Sequence, residues 1–75
     1  MTNSEAKVYD YIVFYRKQHG LSPSVRDISM GLGLYSPYSV QRHISSLVET
    51  GYLHKTAGKP RSLIPSVELG LGPKS

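Results

Sequence analysis

A chain of 75 residues with a net charge of +4 and no cysteine makes at most one small domain, near the lower limit at which an apolar core holds a fold unaided. That size excludes an enzyme scaffold with a deep substrate cleft, and the missing cysteine excludes disulfide frameworks and thiolate metal sites together. No stretch is long and apolar enough to span a bilayer, and the amino terminus lacks the basic-then-apolar pattern of a leader, so a cytoplasmic location is expected.

The first predicted element runs from Thr2 to Gln18. Thr2 followed by Glu5 offers a capping box, in which each side chain satisfies a free backbone N–H of the other. Val8, Ile12 and Tyr15 then recur at helical spacing, with Tyr11 on their flank. The run Tyr11–Tyr15 is continuous and β-prone, but its flanking charges and the longer periodicity favour helix. Gly20 supplies the left-handed conformation in which helices commonly end.

A second helix opens at Ser24, where the hydroxyl caps backbone donors and Asp27 favours the positive end of the helix dipole. Its buried stripe is Val25, Ile28 and Leu32, and it closes at Gly31-Leu-Gly33. Gly31 sits inside the last turn at a cost of about 1 kcal/mol relative to alanine, which points to close packing or an early stop.

The third helix takes Ser36 as its cap and Pro37 at its first position, where proline loses nothing by lacking an N–H. Val40, Ile44, Leu47 and Val48 supply its apolar face, and Gly51 terminates it. The opposite face carries Tyr38, Ser39, Gln41, Arg42, Ser45 and Ser46, polar and mostly uncharged. After Gly51 the period shortens: Tyr52–Lys55 and Ser62–Ile64 read as two strands around the turn Ala57-Gly-Lys-Pro60. From Ser66 to Ser75 the glycines and proline leave no pattern, and a loose tail is expected, with the domain proper ending at residue 65.

Three helices, a short link between the second and third, and a hairpin make the layout of a winged helix-turn-helix, mostly α. In that layout the third helix enters the major groove and the hairpin lies along the backbone. The positive charge agrees with a polyanionic partner. Arg42, Lys55, Lys59 and Arg61 lie in the second half, while Glu5, Asp10, Asp27, Glu49 and Glu68 are scattered singly. His19, His43 and His54 match no zinc spacing and have no carboxylate cluster beside them, so no metal or cofactor is expected.

The residues Leu21–Ile28, Gly33-Leu34, Ser36, Ser39-Val40, His43, Leu47, Gly51 and Lys59-Pro-Arg61 resemble the amino-terminal DNA-binding domain of the LexA repressors of the bacterial SOS response. The likeness runs without gaps from about Val8 to Ile64, most of the chain, and is nearest to the Gram-positive form. It implies sequence-specific binding of double-stranded DNA and transcriptional repression. Bases would be read by Ser36, Tyr38, Ser39, Gln41 and Arg42, and the backbone held by Arg26, Lys55, Lys59 and Arg61. The chemistry suits the assignment: arginine matches guanine O6 and N7, glutamine matches adenine, and a helix N-terminus favours phosphate.

Tyr38, Gln41 and Arg42 depart from the family's usual recognition helix, so no operator sequence is carried over. The family's carboxy-terminal domain, with its self-cleaving Ser–Lys dyad and dimer contacts, has no counterpart here. The chain reads as an excised domain or a short stand-alone relative, not an enzyme, monomeric in isolation and able to pair on a palindromic site. The alternative reading is a winged-helix module that docks proteins; a polar, hydroxyl-rich third helix argues against it.

Overall fold

The computed structural model describes residues 2–33, 36–55 and 63–70. Its elements are α1 (Asn3–His19), α2 (Val25–Leu32), α3 (Pro37–Glu49), β1 (Leu53–His54), β2 (Ile64–Pro65) and a 3₁₀ turn (Ser66–Leu69).

Each helix starts on a side-chain cap that replaces missing backbone partners. At α1, Glu5 N–H donates to Thr2 Oγ1 at 3.1 Å and Thr2 N–H donates to Glu5 Oε1 at 2.8 Å. At α2, Asp27 N–H donates to Ser24 Oγ at 3.1 Å and Ser24 N–H donates to Asp27 Oδ2 at 3.0 Å. The Tyr11–Tyr15 run is helical throughout, and Gly20 ends α1 at φ 74°. β propensity there yields to the apolar stripe, because Val8 and Ile12 lie one turn apart on the face that meets the other helices.

Those helices pack around one core of Val8, Ile12, Ile28, Val40, Ile44, Leu47, Leu53 and Leu63, with Tyr9, Tyr11, Val25, Leu32, Val48 and Tyr52 partly buried against it. Each fully buried aliphatic side chain contributes about 1.5–3 kcal/mol. Gly31 packs closely, one of the two readings of its position: a Cβ there would run into the Tyr11 ring.

β1 and β2 pair antiparallel, Leu53 opposite Pro65 and His54 opposite Ile64. The second strand therefore reaches one residue past the expected Ile64. Pro65 has no N–H to donate, but Ser66 N–H donates to Tyr52 O at 2.9 Å and continues the pairing beyond it. The turn at 57–60 lies outside the described residues.

The loose tail expected from Ser66 does not hold for Ser66–Leu69. Ser66 is buried and its hydroxyl donates to the carbonyl of Gly51. Glu68 meets Arg16 of α1 through two hydrogen bonds, 2.7 Å from Nε and 2.9 Å from Nη2. Arg16 Nη1 donates to Ser22 Oγ at 2.8 Å, and the buried Ser22 hydroxyl donates to the carbonyl of Leu63. Glu68 is thus fastened to α1 and Ser66 to Gly51, while Leu63, just before β2, is tied to the link between α1 and α2.

Candidate functional site

α3 is divided lengthwise by burial. Val40, Ile44 and Leu47 face the core. Tyr38, 69% exposed, shares the outer side with exposed Gln41, Arg42 and Ser45. Spacings of three and four put these four side chains on one ridge. Ser39, His43 and Ser46 are half-buried along its flanks.

Ser36 has a local occupation. Its Oγ accepts from Ser39 N–H at 3.2 Å and its hydroxyl donates to Ser39 Oγ at 3.2 Å. Of the five residues expected to read bases, this is the pair the structure joins directly. Tyr38, Gln41 and Arg42 project outward, whereas the Ser36 and Ser39 hydroxyls share the cap.

The electrostatic setting differs between helices. The first turns of α1 and α2 hold Glu5 and Asp27, while that of α3 has no acidic residue. A carboxylate offsets the positive end of a helix dipole, so α3 begins without that internal counter-charge. Glu5 is held below the usual carboxylate range by a hydrogen bond with Ser46 and then by the backbone N–H of Thr2.

Among the residues expected on the backbone, Arg26 is exposed in the first turn of α2, and Lys55 is exposed just after β1. Both α2 and β1 pack directly against α3. Lys59 and Arg61 lie outside the described residues. Ser45, on the polar face of the third helix, falls on the same ridge, three residues from Arg42 and seven from Tyr38. Chemically, the ridge offers a guanidinium fork, a carboxamide, a phenol and a hydroxyl to any flat edge of donors and acceptors laid along it.

Among the described residues, no group of three or more His, Asp or Glu side chains is placed to hold a metal ion. No described helix is long and apolar enough to cross a membrane.

A family model described as the LexA DNA binding domain matches residues 1–62. The chain is 43% identical over 61 residues to the LexA repressor of Limosilactobacillus reuteri, covering 81% of this chain and 29% of the relative. It is 36% identical over 63 residues to that of Carboxydothermus hydrogenoformans, covering 84% and 31%. Against the LexA repressor of Staphylococcus haemolyticus the identity is 38% over 63 residues, covering 84% and 30%. The chain thus spans less than a third of the length of these relatives.

Proposed function

This chain belongs to the LexA DNA-binding-domain family, and on that premise we propose that it binds double-stranded DNA at particular sequences and represses transcription there. α3 enters the major groove with Tyr38, Gln41 and Arg42 toward the base edges, joined by Ser45. Ser36 and Ser39 lie where the helix begins, near phosphate and the first base. Arg26 and Lys55, with Lys59 and Arg61, hold the sugar–phosphate backbone on either side.

The observation that carries this reading is the outward ridge of Tyr38, Gln41, Arg42 and Ser45 on a helix whose first turn holds no acid. A phosphate approaching that end meets the positive end of the helix dipole and, in the first turn, no fixed negative charge. The arginine fork and the glutamine amide then match purine edges in the groove. The fold offers rigidity, since the ridge stands on a helix whose other face is core.

The test is a titration of labelled duplex across salt concentrations. With three to five phosphate contacts, the logarithm of affinity should fall against the logarithm of salt with a slope of about −3 to −5. Affinity independent of salt, or no duplex binding at low salt, would refute the proposal. Selection from a random duplex pool would then supply the operator.

A further inference from the structure

The outer face of α1 carries an apolar projection beside an apolar notch. Phe14 is 57% exposed and Val67, on the 3₁₀ turn, is 65% exposed. Next to Phe14 lies a groove of about 350 Å³ lined by Val13, Arg16, Lys17, Val67 and Glu68. Arg16 and Glu68 bind each other at its side, so apolar surface and the Lys17 ammonium remain to meet a partner.

The charges on this face have a two-fold pattern. Asp10, Phe14 and Lys17 are all exposed, and spacings of four and three put them on one line of the helix. Asp10 and Lys17 are two turns apart, about 10.5 Å along the axis, and the midpoint between them falls between Val13 and Phe14. If two α1 helices meet antiparallel about an axis at that midpoint, Asp10 of each copy faces Lys17 of the other. Phe14 of each faces Val13 of the other, at the mouth of the groove. A two-fold interface requires this self-complementarity, because one patch must serve as both partners.

We propose that the Asp10–Phe14–Lys17 face of α1 is a contact between two copies of this chain, with Phe14 of one seated in the Val13–Val67 groove of the other. Val8 and Ile12, on the opposite side of α1, face the core shared with α3, so the contact leaves both α3 ridges uncovered. A single aromatic residue per copy makes a small interface, well under the area of stable complexes, and the dissociation constant is expected on the order of 0.1–1 mM. A chain monomeric at assay concentrations is compatible with it. The contact does not depend on what α3 binds.

The test is sedimentation equilibrium of the whole chain at low salt, up to a concentration of ~2 mM, above the range expected for so small an interface. The wild type should show a reversible monomer–dimer equilibrium. Asp10→Lys and Lys17→Asp should each weaken it by about three- to tenfold by placing like charges opposite one another. Asp10→Lys/Lys17→Asp together should restore it, and Phe14→Ser should abolish it. All these positions are exposed, and helical circular dichroism checks each variant. A chain monomeric throughout, single exchanges without effect, a double exchange as weak as the singles, or an unaffected Phe14→Ser would each overturn the proposal.

Discussion

Arg16 grips Glu68 through both carboxylate oxygens, Nε to Oε2 at 2.7 Å and Nη2 to Oε1 at 2.9 Å. Its remaining nitrogen, Nη1, donates to Ser22 Oγ at 2.8 Å. One guanidinium therefore joins α1, the link to α2 and the turn after β2. A planar fork with fixed donors suits this junction, and a lysine ammonium would not satisfy all three partners.

The pair has a pH signature. The Arg16 hydrogen bond, the largest influence, holds Glu68 below its ordinary value of 4.5. A carboxylate with a lowered folded pKa contributes stability above its unfolded pKa, and that stability is lost as pH falls through the folded value. Glu68→Gln is therefore expected to cost about 0.5–1 kcal/mol at pH 7, modest because the pair is partly exposed. The difference from wild type should shrink toward zero below the ordinary carboxylate range. Urea unfolding at pH 7 and pH 3 measures both quantities. An equal gap at the two pH values would contradict the assignment.

Gly31 offers a sharper packing test. A Cβ there would meet the hydroxyl and two ring carbons of Tyr11, and that ring is itself packed on the core and beside Tyr15. Gly31→Ala gains about 1 kcal/mol of helix propensity, but the displaced ring should cost about 1–3 kcal/mol. Net destabilisation is expected. With Tyr11→Ala already in place the obstacle is gone, and the same substitution should stabilise. Thermal or urea unfolding of the four proteins would show this change of sign, and its absence would mean that Tyr11 swings aside freely.

Much of this architecture can be read locally because each helix begins on a hydroxyl cap and repeats its apolar residues at its own period. Thr2, Ser24 and Ser36 mark the starts, while Val8/Ile12 and Val40/Ile44/Leu47 mark the buried faces. The turn at Ser66–Leu69 has no such marker. Ser66 finds its acceptor 15 residues earlier, and Glu68 finds Arg16 at a separation of 52. Neither partner is visible in a short polar segment. The ridge on α3 follows from period alone. The division of labour within it does not, because the Ser36–Ser39 hydrogen bond depends on side-chain rotamers.

That hydrogen bond yields a prediction about Ser36. As the cap of α3 it accepts from Ser39 N–H, so Ser36→Ala should cost about 1 kcal/mol of stability. Ser36→Asp preserves the cap and adds a favourable charge at the helix start, so it should keep stability or raise it. On duplex DNA the same aspartate should weaken binding, since it sets a negative charge where phosphate is expected. Unfolding and DNA titrations of the two variants separate capping from contact. Undiminished DNA binding by Ser36→Asp would remove the start of α3 from the interface.

Arg42 and Lys59 should fail in different ways. Arg42 is exposed on the ridge between Tyr38 and Ser45, where its two parallel N–H groups can match guanine O6 and N7. Loss of such a bidentate contact costs about 1–3 kcal/mol against the preferred base and little against the others. Arg42→Ala should therefore flatten preference at one position of the site while leaving the remaining positions ranked as before. Lys59, by contrast, is assigned to phosphate, which carries no sequence information. Lys59→Ala should weaken every duplex by a similar factor and make the salt slope shallower by about 1. A site library scored at two salt concentrations measures both effects in one experiment. Uniform losses from Arg42→Ala would move it from the bases to the backbone, leaving Tyr38, Gln41 and Ser45 as the ridge's base readers.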